Sequence, residues 1–501
     1  MTQFQFPPRS TRGAVMGFTW SQIVTVASGV ISAVVAANLI TAGRPWAGGG
    51  VLLAAVLLIT LGLLRLRGRR ITEWIPVVLG ALVQRAGRQD RYRGQVFAPN
   101  SVAEHLDLPG PAAGYRWLPA VAADGTTEVG LLLHRRERTV TAALSCTGAN
   151  FILADTSVQA QRLVDWAQVL NILGTEYGDT GLVRWALTTR AVPDTGNRAQ
   201  RYLTDRAVDT GSLAYASLAE LTAAAAPSAQ RHETYLSVVF DVARLSAEIA
   251  DAGGTDAAVA AVVLDRLAGI EATVTEAGVT TSGWLTPRGY AAVIRTQFDP
   301  ADQESVDLRG GTGAPSGVAP RLAGPAAAET VGWSTYRHDS GVSRTLWVAD
   351  MPRQLVAATW LTPLYTRATG RRTVTLLAQP IPAALANLAA RREQVARAGD
   401  EVTKRRLRLV RTAREDAEAR SVAQIDREQA HGHTRYRYAL LVTVTADTVE
   451  ALDRDVRAVK RVLSRAGCEA TTLFGEQDQA FVAAALPLAR GLAPIRGWWS
   501  A

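Results

Sequence analysis

Residues 20–64 constrain this chain more than any other stretch. Trp20–Ile40 reads WSQIVTVASGVISAVVAANLI and carries no charge. A helix of about 20 apolar residues crosses roughly 30 Å of hydrocarbon. Ser21, Ser28, Gly29 and Ser32 are small or polar, so this helix is expected to pack against another. The turn TAGRPWAGGG follows, with Arg44, Pro45 and Trp46. Gly50–Leu64, GVLLAAVLLITLGLL, is short for a full span, and Gly48, Gly49 and a snorkelling Arg65 complete it. Two other readings compete. A cleaved signal peptide has a shorter apolar core, and no second apolar run follows it at once. A buried hairpin in a soluble protein does not explain the placement of charge.

That charge is asymmetric. Arg65, Arg67, Arg69 and Arg70 follow the second run, Arg9 and Arg12 precede the first, and the turn carries only Arg44. The positive-inside rule then places both ends in the cytoplasm and the turn outside. Arg65, Arg67, Arg69 and Arg70 are the candidate contacts to anionic lipid, each worth about 1 kcal/mol. Next, Ile71, Trp74, Ile75, Val78, Leu79, Leu82 and Val83 recur on one helical face. Thr72 can cap this helix, and Pro76 is tolerable near its first turn. It reads either as an interfacial helix, anchored by Ile71, Trp74, Ile75 and Val78, or as a helix docked on the soluble domain. The expected divisions are a lead-in at 1–19, the hairpin at 20–64 and a basic amphipathic helix at 65–95.

Net charge is +9, almost all of it from Arg; Lys404 and Lys460 are the two lysines. A positive surplus permits contact with anionic lipid, nucleic acid or an acidic partner. Its densest cluster abuts the hairpin, which favours membrane anchoring. Cys146 and Cys468 are the two cysteines and lie far apart, so neither a disulfide framework nor a zinc site is readable. A reducing compartment is expected.

From about Glu128 the periodicity changes. Residues 129–134 and 139–145 read as paired strands around Arg135–Arg138. Thr156-Ser-Val-Gln159 reads as a capping box opening a helix through Leu173. Strands follow at 182–188, 234–240 and 373–378, with a helix at 256–277. The last unit runs from a strand at 438–445, through a cap at Asp447–Glu450 and a helix with stripe Val449, Leu452, Val456, Val459 and Leu463, to Gly467 and a strand at 468–474. These are repeated β-α-β units of α+β, ferredoxin-like style, in subdomains at 96–300 and 331–501. Residues 301–330 are Gly/Pro/Ala-rich and read as a flexible loop. Residues 381–430 are dense in Arg, Glu and Asp and read as a long charged helix. The fold class is thus a membrane-anchored α+β protein.

Chemistry is sparse. A P-loop needs Gly-Lys-Ser/Thr, and neither lysine follows glycine, so the chain is not a P-loop ATPase by itself. Gly311-Thr-Gly313-Ala-Pro-Ser-Gly317 has the wrong spacing for a nucleotide loop. His431-Gly-His433 lacks matching Cys or carboxylate partners for a metal. No GxSxG or HExxH occurs, Glu415 and Asp416 lie in the charged stretch, and no aromatic strand suits RNA. No catalytic residue, cofactor or metal is expected.

Several stretches carry a resemblance. The start of the chain, with its lead-in, two apolar runs, Arg-rich exit and TEWIP helix, resembles PrgI-type subunits. Residues 139–145, the stretch Thr345–Trp360 with Met351-Pro-Arg, Trp360-Leu-Thr-Pro-Leu, Gly432-His433 leading into 441–448, and Gly475–Phe481 through Ala485-Leu-Pro487-Leu are similar to the non-motor region of VirB-type conjugation ATPases. The whole resembles an actinobacterial membrane-protein family of type IV secretion-like systems. The ATPase motor half has no counterpart in these residues. The resemblance implies a non-catalytic inner-membrane adaptor, and the expected partners are lipid, a separate secretion ATPase, other membrane subunits and further copies of itself; direct DNA contact through the arginines of 381–430 is a further alternative and is not favoured. A type VII secretion component and a membrane-anchored enzyme on lipid-linked substrate are the alternatives; the enzyme predicts a cleft with clustered carboxylates or histidines.

Overall fold

The computed structural model describes residues 3–4, 6, 20–63, 65–66, 69–94, 106–148, 151–193, 197–225, 229–309, 315–368, 370–388, 423–424, 427–428 and 432–492. The chain divides into two compact units. One contains Met1–Phe6, Asp90–Ala383 and Gly432–Ser500; the other contains Pro7–Gln89 and Ala384–His431.

The second unit is built on helices α1 (Trp20–Thr41) and α2 (Pro45–Leu63). After a strand β1 (Gln3–Phe4), which belongs to the first unit, these are the earliest described elements. Gly43 takes φ +77°, and Gly43 N and Arg44 N donate to Ile40 O (3.2 Å) and Leu39 O (3.0 Å). This glycine closure ends α1, and Pro45, which has no N–H to leave unpaired, starts α2. Short strands β2 (Arg65–Leu66) and β3 (Arg69–Arg70) pair before α3 (Ile71–Ala86). The helix expected across 65–95 is therefore confined to α3. Arg88 sits at φ +52°, and Arg91–Arg93 form strand β4 of the first unit, so Arg91 and Arg93 are on a sheet edge.

The first unit is a mixed body of helices and one 13-stranded, antiparallel sheet. Strands β5 (Tyr115–Leu118), β6 (Leu131–His134) and β7 (Thr139–Thr147) form one end. Chain order then gives α4 (Thr156–Gly174), α5 (Glu176–Asp179), β8 (Leu182–Pro193), α6 (Asn197–Arg206), α7 (Leu213–Ala225), β9 (Gln230–Asp241), α8 (Ser246–Asp251), α9 (Asp256–Glu276) and β10 (Thr280–Trp284). In space these strands run β10-β7-β9-β8. Helices α10 (Pro287–Phe298) and α11 (Gln303–Leu308) lead to β11 (Ala327–Val331), β12 (Thr335–His338), β13 (Gly341–Asp350), β14 (Val356–Ala357), α12 (Thr362–Thr366), β15 (Arg371–Pro380), β16 (Tyr436–Ala446), α13 (Val449–Arg465), β17 (Glu469–Thr472) and α14 (Gln477–Ala485). Here the spatial order is β17-β13-β16-β15. Each set is thus strand-helix-strand, strand-helix-strand, with its fourth strand outside its first. The sets join where β8 and β15 pair from Arg372↔Ala191 to Ala378↔Trp185.

Each set covers the same face of the sheet with its own helices. Leu144, Leu236 and Trp185 pack under α9 residues Val263, Leu267 and Ile270, and Val442 and Val444 under α13 residues Leu452, Val456, Val459 and Leu463. The α13 stripe is the one its spacing predicts. Burying a Leu or Val contributes about 1.5–3 kcal/mol each. The opposite face is rich in small and hydroxyl side chains: Ser237, Thr188, Thr375, Thr443 and Thr345 are all buried. That lets the alanine-rich α14 approach closely. Thr375 Oγ1 donates to Ala484 O (2.7 Å), Ser237 Oγ to Pro487 O (2.8 Å), and Tyr290 O–H also to Pro487 O. Carbonyls left open at the helix end are thereby satisfied from both sets, and Gln477–Ala489 lies across their seam.

Local details differ from expectation. Asp155, not Thr156, precedes α4, and Gln159 instead donates to Phe151 O and Ala154 O, both at 3.0 Å. At α13 the cap is Thr448, whose Oγ1 accepts from Ala451 N (3.2 Å). Much of 301–330 is ordered secondary structure, namely α11, a 3-10 turn at Pro320–Leu322 and β11. Arg295 holds it by reaching Asp299 (2.7 Å), Asp302 (3.4 Å), Asp339 (3.0 Å) and Gly324 O (3.1 Å). Residues 310–314, and so most of Gly311–Gly317, lie outside the described residues, as do His431 and most of the charged stretch 381–430.

A buried relay gives the body a pH response. His338 is fully buried; Nδ1–H donates to Phe298 O (2.6 Å), and Nε2 accepts from Ser343 Oγ (2.7 Å), which also meets Thr445 Oγ1 (2.7 Å). Burial, aided by Arg371 and opposed by the Phe298 carbonyl, holds the imidazole neutral down to about 4. Unfolded imidazole takes its proton near pH 6.5. Between those values the unfolded chain binds more protons, so stability falls as pH drops from about 6.5 to about 4, by about 3 kcal/mol. Chemical denaturation of the first unit's signal at pH 7 and pH 4.5 should show this loss, and His338→Gln should flatten it.

Candidate membrane hairpin and interaction sites

Val24–Thr41 and Pro45–Gly62 are each long and apolar enough to cross a membrane. Their contact is built from glycine and alanine. Ala36 and Ala55 are fully buried between the helices. A Cβ at Gly29 would lie 2.7 Å from Ile59 Cγ1, one at Gly48 2.4 Å from Ile40 Cγ1 and 3.0 Å from Ala36 O, and one at Gly62 2.9 Å from Val26 Cγ2. In lipid, where helices have no hydrophobic drive to associate, such close approach is what holds a helix pair together. The outward faces are apolar: Val24, Ile31, Val34, Leu53, Val56 and Leu57 are exposed. Gly29→Leu should therefore spread the hairpin, at about 1–3 kcal/mol. Thermal unfolding in detergent should fall, and Gly49→Leu, at a position with open space around it, should not change it.

The predicted flank residues are brought together in part. Arg65 pairs with Arg70 and Leu66 with Arg69 across β2 and β3, by backbone register. Arg67 and the side chains of Arg65, Arg69, Arg70 and Ile71 lie outside the described residues, as do Arg9 and Arg12. On α3, Trp74 and Val78 are half-buried, while Ile75, Leu79, Leu82 and Val83 are exposed. These residues all lie on helix α3.

Sequence reasoning missed the charge clusters inside the body. Glu137 binds Arg184 (2.8 Å) and Arg490 (2.9 Å), and Arg184 also donates to Leu492 O (3.0 Å). On the neighbouring strands, Glu233 ion-pairs with Arg190 and Arg231 (2.6 Å to the latter), and Arg231 reaches Asp307 (2.8 Å). Burial alone would raise the Glu233 carboxyl; Arg190 and Arg231, with the Arg190 and Tyr235 hydrogen bonds, instead hold it at about 2. Part of the signal was available: Arg184 stands within the strand-like run 182–188, where a charge needs a partner, whereas Arg190 and Glu233 fall just outside the runs 182–188 and 234–240.

Beside this cluster is a cleft of about 560 Å³ at the seam. Its wall includes Arg201, Arg231 and Arg371 and the carboxylates Glu304, Asp307, Asp447 and Asp455. Burial, then Arg190 and Arg231, pull the Arg371 guanidinium down to about 10. Burial raises the Asp455 carboxyl, with Arg454 and Arg372 opposing. Gly370, at φ +85°, leaves room for Asp455, whose Oδ2 would lie 2.6 Å from a Cβ there. Among the described residues, no group of three or more His, Cys, Asp or Glu is placed to hold a metal ion.

The α6–α7 arm, inserted between β8 and β9, exposes a run of apolar side chains. Tyr202, Val208, Leu213, Leu218 and Leu221 are exposed, and α7 has no buried residue. Residues 381–435 are inserted at the equivalent place in the second set, between β15 and β16. A scan of protein-family models and a search of curated proteins both return no match to this chain.

Proposed function

We propose that this chain is a non-catalytic structural adaptor of a type IV secretion or conjugation-like apparatus, held in the bacterial inner membrane by its hairpin and docking a separate ATPase through its body. In this reading the two strand sets are ferredoxin-like repeats, both ends of the hairpin are cytoplasmic, and α3 with the arginines at 65–70 rests at the lipid interface. The single observation that carries the adaptor role is the α6–α7 arm, because exposed apolar surface of that kind marks an interaction site. Unit membership supports placing both ends of the hairpin on one side: Met1–Phe6 and Asp90–Ala383 belong to one unit, and the two apolar helices lie between them in sequence. A hairpin of two spans returns the chain to the side it left.

The test is co-purification in mild detergent followed by mass spectrometry. Recovery of a secretion ATPase is expected, with loss when Leu213, Leu218 and Leu221 are all changed to Glu. Recovery of the protein alone contradicts the reading, and recovery of a type VII ATPase reassigns it to that system. A second reading, a membrane-anchored enzyme on lipid-linked substrate, draws on the carboxylate-lined cleft. It predicts that Asp455→Asn abolishes cellular function while ATPase recovery is unchanged.

A further inference from the structure

Among the described residues, strand β14 pairs with β1 in a two-stranded sheet and with no other strand. Its register is antiparallel, Gln3↔Ala357 and Phe4↔Val356. Two residues on, the Phe6 ring meets Trp360 edge-on at 5.2 Å and 68°. Trp360 packs in turn against the core under α13, and its backbone N–H donates to Ala357 O (3.0 Å). The 356–360 stretch is thus a ledge that offers strand-pairing backbone at Val356–Ala357 and one aromatic surface at Trp360. That is how folded domains take up an added strand: main-chain hydrogen bonds give affinity, and a pocket for an alternate side chain gives specificity.

The occupant is a segment of the chain itself, tethered through residues 7–19, which can span at most about 45 Å. The seated contact is short, with two paired residues and one ring contact, so it opens at little cost. An identical segment from another copy makes the same contacts, which is the condition for exchange of an element between protomers. Copies gathered in one membrane raise its effective concentration at the ledge. We infer that the β14–Trp360 ledge is a peptide-docking site whose occupant in the assembled protein is the Gln3–Phe6 segment of a second copy. The inference rests on the assembly reading in one respect, that copies must be neighbours.

The test uses two full-length chains with different tags, co-expressed, one carrying Gln3→Cys and the other Ala357→Cys. Isolated membranes are oxidised and the chains separated. A disulfide joining the two tags is expected, reduced several-fold when Phe6→Ala or Trp360→Ala is added. A single chain carrying both substitutions reports closure within one copy. If that chain closes internally and the two tags co-purify without ever becoming cross-linked, exchange is overturned while the assembly stands. If the tags do not co-purify, the assembly reading fails and exchange with it. If no disulfide forms in either arrangement, the ledge itself is overturned.

Discussion

Glu233→Ala should destabilise the body by about 3–5 kcal/mol, because it strands a buried guanidinium. The Arg190 side chain is 5% exposed, and Glu233 is its carboxylate partner. Its remaining bonds, to Thr296 Oγ1 (2.8 Å) and Val293 O (3.4 Å), carry no negative charge. Arg231 keeps Asp307 and suffers less. The double change Glu233→Ala with Arg190→Met removes both charges together and should recover most of the loss, since a buried pair contributes little over an apolar replacement. Denaturant titration of the three proteins checks this. A single variant as stable as the parent would show that the guanidinium reaches water.

Phe481→Ala should cost about 3–5 kcal/mol as well, by leaving a cavity. Phe481 is fully buried, and its ring lies 5.2 Å from Phe298, 5.2 Å from Tyr336 and 4.8 Å from His338. It anchors α14 across the seam, so the loss should include cooperativity between the two strand sets. Unfolding should broaden or split into two transitions, whereas a cavity confined to one set would shift a single transition. Phe481→Leu should recover part of the stability and the single transition.

The long elements were legible because their periodicity extends over many residues. The α13 stripe, the β6–β7 hairpin and the strands at 182–188, 234–240 and 438–445 follow their apolar spacing. Short elements carry no period: β1 has two residues, β14 has two, and neither reads as a strand until the fold brings them together. Caps were displaced by one residue at α4 and α13, because Thr and Asp stand side by side at both starts. The 301–330 region looked like a loop by composition, yet Arg295 gathers three aspartates around it, a tertiary cause that no local pattern reveals. The seam cleft draws on residues from Val192 to Asp455, so its carboxylates and arginines share no motif.

The central claim is that the apolar hairpin crosses the membrane and leaves the body on the cytoplasmic side. Labelling by a membrane-impermeant maleimide tests it most directly. Native Cys146 and Cys468 are buried, and burial pushes both thiols up to about 11, so the background should be low. Trp46→Cys places a thiol at the exposed start of α2, and Val208→Cys places one on the body's exposed arm. In intact spheroplasts the Trp46→Cys variant should label and the Val208→Cys variant should label only after permeabilisation. Labelling of the Val208→Cys variant in intact spheroplasts, or protection of the Trp46→Cys variant, would contradict the account.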